Sequence, residues 1–420
     1  MSFSSFRKCA FFLCMTLFVL PLAAQNSYTL QKALQSAKLN NLSLKEEQLN
    51  LEAAQADIIT ARIRPNPVLS NQTILVAKPA AFPVNTGWDN SENLQMFWQL
   101  SRPFQIAGQH RYKIDVAAKN VLFAEKNYSE TERNLFLDVA DKWLDVWTSQ
   151  KQLSIIQTAL SNIDSLVTIN RVRLKNQVIT PTDLFRTELL AKQYSIQYRS
   201  VRQELVNKQK ELAFLIGARD SVAIDTTYNF ALPVAAVIDT LLGRSASNRS
   251  DILAAKSLID ASNSNIKLQK SLAFPQPELG FIYNPQNAVP YIGFSVSFEL
   301  MISNRNQGEI KKSVILRQQA ERQLLTIQSR LQTEVDIAFS SYKLQQENVK
   351  RFKSVLEQSQ TILDNVRYAY LRGGTTIIDF LEAQRSWLET EQQYYDVLQQ
   401  YHQSYVQLLF ATGLINQIAQ

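Results

Sequence analysis

The chain has 420 residues, 19% of them charged, and a formal net charge of +7. Only ten Gly and twelve Pro punctuate that length, so long helices are the simplest way to use it. The basic excess is mild and holds no polybasic run, which argues against nucleic acid as a partner.

Residues 1–24 read as a secretory signal peptide. Arg7 and Lys8 form the positive start, residues 10–20 the apolar core, and Leu22-Ala23-Ala24 the small-residue cleavage site before Gln25. The apolar stretch is too short to span a bilayer well. Cleavage would lower the net charge to +5 and remove Cys9 and Cys14, leaving a mature chain, 25–420, without disulfide or thiolate chemistry. Cys14 follows Phe11-Phe12-Leu13, a poor lipoprotein context, so no lipid anchor is expected. No second long apolar run follows, and entry into a membrane would therefore require a β-barrel.

The mature chain repeats itself. Glu211-Leu-Ala-Phe-Leu-Ile-Gly217 returns 196 residues later as Gln407-Leu-Leu-Phe-Ala-Thr-Gly413. Upstream, Pro65-Asn-Pro67 returns as Pro275-Gln-Pro277 at an offset of 210, which places a longer loop in the first copy. The copies are expected at about 25–217 and 238–413, with pseudo-twofold architecture. That loop, residues 78–93, carries Pro79, Pro83, Gly87 and Trp88, a composition suited to a turn-rich loop.

From residue 109 to about 171 the first copy carries a heptad pattern: Val139, Val146, Leu153, Leu160, Val167 and Leu174, with Ile156 and Ile163 beside them. The second repeats it as Val335, Tyr342, Val349, Leu356, Leu363 and Tyr370. Returning segments show Leu184, Ala191, Tyr198, Leu205 and Leu212, then Phe380, Trp387, Tyr394, Tyr401 and Leu408. Sustained heptads predict coiled-coil packing, and 63 residues of helix would reach roughly 95 Å.

Four segments read as strands: 67–77, 94–100, 277–284 and 291–298. In the second, Leu94, Met96, Trp98 and Leu100 alternate with Gln95, Phe97 and Gln99; in the fourth, Ile292, Phe294, Val296 and Phe298 alternate with smaller or polar residues. Such lengths suit transmembrane strands, although two soluble hairpins would show the same pattern. Four strands cannot close a membrane barrel, so that reading demands oligomerisation.

Together these features resemble the TolC-type outer-membrane efflux proteins, the outer-membrane factors, over nearly all of the mature chain. The resemblance rests on Thr29-Leu-Gln-Lys-Ala-Leu34, Asn41-Leu-Ser-Leu44, Arg64-Pro-Asn-Pro67, Gly374-Thr-Thr-Ile-Ile-Asp-Phe-Leu-Glu-Ala383 and Leu409-Phe-Ala-Thr-Gly413. It implies a mainly α fold with a small transmembrane β part. Four strands per chain would close as a twelve-stranded barrel in a homotrimer, below which a helical coiled-coil tunnel extends into the periplasm. It also implies an exit duct embedded in outer-membrane lipid. The duct would work with a periplasmic adaptor and an inner-membrane transporter, and without a cofactor.

The family's periplasmic gate falls here on Asp379 and Glu382, with Asp183 as the first-copy counterpart and Tyr370 in the latch-tyrosine place. Rings of carboxylates around a narrow axis attract cations and crowd one another toward higher pKa values. A second reading stands beside this one. Thr180-Pro-Thr-Asp183 and Thr376-Ile-Ile-Asp379 both fit a helix N-cap followed by its acid, with Pro181 at the first helical position. The family's basic latch place falls on Thr375, and Arg372 is the nearest substitute. Arg171, Arg173 and Lys175, with Arg372, Gly373 and Gly374, mark the tips where the family docks its adaptor. Cations at a helix C-terminus would also serve the helix itself.

Enzymatic readings find no support. His110 and His402 belong to no metal-spaced cluster, and no phosphate loop, nucleophile elbow or Cys–His pair occurs. Only Met96 and Met301 remain after cleavage, so no methionine relay is visible. The expected function is an exit duct for small toxic compounds. The alternatives are the duct of a type I protein secretion system and a soluble periplasmic coiled-coil adaptor.

Overall fold

The computed structural model describes residues 27–75, 77–78, 80, 94–219, 222–225, 238–285 and 290–419. The expected signal peptide lies outside the described residues, as does the 78–93 loop apart from Lys78 and Ala80. The first run of elements is α1 (Leu30–Asn40), α2 (Leu42–Arg62), β1 (Val68–Leu75), β2 (Leu94–Pro103), α3 (Gln109–Lys175) and α4 (Pro181–Leu215). The order then recurs as α5 (Ile238–Asn248), α6 (Ser250–Ser271), β3 (Glu278–Asn284), β4 (Tyr291–Ser297), α7 (Gln307–Leu371) and α8 (Ile377–Ala411), closed by a 3₁₀ turn at Ile415–Ile418.

Helix α3 has 67 residues and is about 100 Å long. Every heptad position named above is buried or half-buried, so the heptad stripe is the packed seam. The four long helices form a row, α4 on α3, α3 on α8, α8 on α7. Both long ascending helices start the same way. Gly108 (φ 79°) and Asn306 (φ 57°) are left-handed caps, and the Gln109 and Gln307 side chains accept from the Ala107 and Arg305 N–H at 2.9 and 2.7 Å.

One core cluster gathers Leu30 and Leu34 of α1, Trp143 and Leu144 of α3, Leu212 and Ile216 at the end of α4, and Val406 of α8. Trp143 Nε1 donates to the Tyr28 carbonyl at 2.9 Å, which satisfies the buried indole. Gly217 (φ +68°) ends α4 so close to α1 that an added Cβ would stand 2.7 Å from the Asn40 carbonyl, so only glycine fits. At the end of α8, buried Arg249 ties the chain together. It pairs with Asp251 at 2.5 Å and Glu334 at 2.6 Å, and donates to the Ala411 carbonyl at 3.3 Å.

The strands form one antiparallel sheet, β1-β2-β3-β4, with both edges unpaired among the described residues. Register puts Leu69, Leu100, Phe281 and Phe294 in one row on one face, and Ser70, Gln99, Ile282 and Gly293 on the other. The apolar row is open, with Leu100 52% and Phe294 87% exposed, as a lipid-facing surface requires. Strand β2 runs three residues past the expected end, because Arg102 and Pro103 pair with Leu279 and Glu278. Strand β4 stops one residue short, at Ser297.

Candidate functional site at the hairpin tips

The two helical hairpins turn alike. In the first, Gln177 (φ 57°) follows α3, and the Val178 N–H donates to the Arg173 carbonyl at 2.9 Å. In the second, Gly373 (φ 78°) follows α7, and the Gly374 N–H donates to the Ala369 carbonyl at 2.8 Å. Both bonds close the last helical turn over a left-handed residue, a conformation that suits glycine better than glutamine.

Each returning helix opens with a full capping box. Asp183 Oδ2 accepts from the Thr180 N–H at 3.1 Å, and the Asp183 N–H donates to Thr180 Oγ1 at 3.2 Å. Asp379 repeats this with Thr376 at 3.1 and 3.2 Å and also accepts from Thr375 Oγ1 at 2.7 Å. Hydrogen bonds from Thr375 and Thr376 hold the Asp379 carboxyl below its ordinary range. Within one protomer the direction is thus opposite to that expected from like-charge crowding. Thr375, at the family's latch place, serves the cap.

Tyr370 is buried, and its hydroxyl donates to Asn170 Oδ1 at 2.8 Å, linking the end of α7 to α3. Asn170 Nδ2 donates to Thr187 Oγ1 at 2.9 Å, and that hydroxyl donates to the Asp183 carbonyl at 2.9 Å. One chain of bonds therefore runs through α7, α3 and α4. Phe380 stacks on Tyr370 with ring centroids 5.4 Å apart. The Arg173 guanidinium lies 4.6 Å from the same ring and donates to the Tyr370 carbonyl at 3.3 Å. Burial pushes the Tyr370 hydroxyl up, against the pull of Arg173 and Asn170.

The remaining expected residues spread out. Arg171 pairs with Glu188 at 2.9 Å, and Arg372 lies 4.2 Å from the Tyr368 ring. Lys175 is exposed and forms no ion pair among the described residues. Glu382 is exposed beside Arg385, 3.8 Å away, in a groove of about 330 Å³ that Arg186 also lines, between α4 and α8. Two arginines thus share the face that carries Glu382. Asn170, Thr187, Phe380 and Arg385 belong to the tip but were absent from the expected site set; the heptad positions of Tyr370 and Phe380 were the signals that pointed toward them. Among the described residues, no group of three or more His, Cys, Asp or Glu could hold a metal, and no helix is long and apolar enough to cross a membrane.

Comparison with known proteins agrees with this architecture. The profile described as "Outer membrane efflux protein" matches residues 33–218 and 241–414. The cobalt-zinc-cadmium resistance protein CzcC of Cupriavidus metallidurans is 18% identical over 389 residues, covering 92% of this chain and 90% of CzcC. The pyoverdine export outer membrane protein OpmQ of Pseudomonas putida is 22% identical over 311 residues, covering 70% of this chain and 65% of OpmQ. The crystal structure of a membrane protein from Pseudomonas aeruginosa superposes with a TM-score of 0.76 at 19% identity, covering 91% of this chain and 93% of that one. With the family profile covering most of both runs of elements, the chain belongs to the outer membrane efflux protein family, the non-enzymatic outer-membrane channels of tripartite systems.

Proposed function

We propose that the protein is the homotrimeric exit duct of a tripartite efflux system for small toxic compounds. The observation that carries this reading is the pair of unsatisfied flanks on one protomer. The outermost helices of the row expose apolar stripes: Phe185, Leu189 and Ile196 on α4, and Ile337, Leu344 and Ile362 on α7. Strands β1 and β4 are open edges of the same sheet. Left and right flanks differ, so association is head-to-tail and closes as a ring. Three copies give twelve strands, an even number within the range of outer-membrane barrels. The α4 stripe then packs on the α7 stripe of the next protomer.

At the tips, Asp379, Glu382 and their symmetry copies surround the periplasmic mouth, and the Tyr370–Asn170–Thr187 chain holds it narrow. Adaptor contact falls to Lys175 and the Gly373-Gly374 turn, which remain accessible while Arg171, Arg173 and Arg372 are engaged within the chain. A small-molecule cargo is supported by the names of CzcC and OpmQ, a metal-resistance and a siderophore-export protein.

The experiment is a deletion strain tested against a panel of antibiotics, dyes, metal salts and siderophores, with secreted proteins profiled in parallel. Sensitivity to small compounds, restored by the gene, is expected. Loss of a secreted protein with no change in sensitivity would favour type I secretion.

A further inference from the structure

Where the sheet meets the helices of the first copy, three arginines converge. Arg64, Arg102 and Arg111 line a cleft of about 320 Å³ together with Phe104, Ile106 and His110. None of the three arginines forms an ion pair with a described residue; Arg102 is half-buried, and Arg64 and Arg111 are exposed at the cleft's rim. Arg102 Nε donates to the Pro65 carbonyl at 3.1 Å, which anchors its stem and leaves the outer nitrogens to the cleft. The nearest acid of the sheet, Glu278, turns to the opposite face and accepts from the Ser101 hydroxyl.

Position gives the cluster its meaning. Arg102 lies two residues beyond Leu100, hence on the face of the open Leu69, Leu100, Phe281, Phe294 row, at its helix-side end. Phe104 and Ile106, 45% and 67% exposed, continue that apolar face beside the cations. Helix α3 starts after Gly108, an N-cap without a side chain, so its first-turn N–H groups have no intrahelical partner and no cap from that residue. His110 keeps a buried Nδ1 without a partner among the described residues. The second copy lacks this arrangement. With Gln307 standing where Gln109 stands, His110 and Arg111 are replaced by Gly308 and Glu309. The basic cluster is therefore no by-product of how these helices start.

We propose that this cleft binds the phosphate of an anionic phospholipid headgroup in the periplasm-facing leaflet of the outer membrane. The proposal rests on reading the sheet as barrel wall. Guanidinium forks grip phosphate oxygens in paired hydrogen bonds, and the first-turn N–H groups of α3 lie close enough to the cleft to add donors. Phe104 and Ile106 meet the first acyl carbons. Each trimer would hold three such lipids at the height where barrel becomes tunnel, fixing its depth in the membrane.

The test uses full-length protein extracted in mild detergent and analysed by native mass spectrometry. Short-chain phosphatidylglycerol, phosphatidylcholine and inorganic phosphate are added in separate arms. Wild type is expected to retain phosphatidylglycerol over phosphatidylcholine. Arg64→Gln/Arg111→Gln, which spares the Arg102 anchor, should weaken that retention by roughly tenfold or more with the trimer intact. The control Lys350→Gln/Lys353→Gln, on exposed α7, should leave it unchanged. Equal retention of the two lipids, or unchanged retention in the double variant, would overturn the proposal. So would stabilisation by inorganic phosphate without any lipid preference, which would assign a free-phosphate site. Wild type found in the soluble fraction would sink the barrel reading itself, a result distinct from a membrane-embedded protein that ignores headgroup charge.

Discussion

The Tyr370 hydroxyl and the Asn170 side chain meet at 2.8 Å across two hairpins that lie 200 residues apart in sequence. Both residues are buried, and Asn170 passes the connection on to Thr187. Tyr370→Phe keeps the ring stacked on Phe380 and removes only the hydroxyl, leaving Asn170 Oδ1 without its donor. The hairpin junction should weaken by about 1–3 kcal/mol, the cost of an unmade buried hydrogen bond. Planar-bilayer recordings should show larger or more frequent openings than wild type. Unchanged conductance would place the constriction elsewhere.

Asp379 and Glu382 should separate cap from charge. Asp379→Ala removes the capping acid, whereas Glu382→Ala removes a charge that no cap uses. Glu382→Ala is expected to lower cation selectivity with little change in thermal stability. Arg385→Ala, by freeing Glu382, should raise selectivity. Because the folded Asp379 pKa is depressed, its contribution to stability is present above the ordinary carboxylate range and is lost as pH falls through the folded value. Asp379→Ala should therefore lower the melting temperature at neutral pH and lose that effect in strong acid.

Asp141 gives the opposite sign. Burial, reinforced by Asp145 and Asp138 on the same helix and opposed by Lys142, pushes its pKa from 3.8 to about 6. Lys208 and Glu211 on α4 and Gln399 on α8 act on neighbouring Asp145. A raised acid pKa means stability is fully present below 3.8 and declines as pH rises toward about 6. Asp141→Asn should stabilise at neutral pH by about 1 kcal/mol after allowance for solvent screening, and by nothing measurable near pH 3. Thermal melts at the two pH values check the sign.

Arg249→Ala should be among the most damaging changes outside the tips. It strips Asp251 and Glu334 of their shared cation and leaves the Ala411 carbonyl short of a donor. Removing one member of a buried charge cluster costs about 3 kcal/mol or more. Trimer yield and melting temperature should fall together, while ion selectivity of the surviving trimer stays as in wild type.

Much of the fold was written in local periodicities. Val139, Val146, Ile156 and Ile163 on α3 fall at heptad spacing, and burial follows that spacing because a helix presents it as one stripe. Alternation in residues 94–100 likewise set two faces of a strand. The end of β2 was not legible. Arg102 and Pro103 do not look like strand residues, and they are held there by pairing with β3, about 180 residues away in the chain.

Sequence alone offered the caps as one of two readings of Asp183 and Asp379, since Thr180 with Asp183 and Thr376 with Asp379 need only three residues of helix to find each other. It also determined the duplicated order of elements and the apolar and polar faces of each. Tertiary structure decided which tip residues touch. Asn170 and Thr187 are ordinary polar residues until two hairpins bury them beside Tyr370, and burial is what makes their hydrogen bonds obligatory. It also decided that Arg64, Arg102 and Arg111, from a loop, a strand and a helix, share one cleft. Their charges are scattered along the chain and converge only when β1 pairs with β2 and α2 packs against α3.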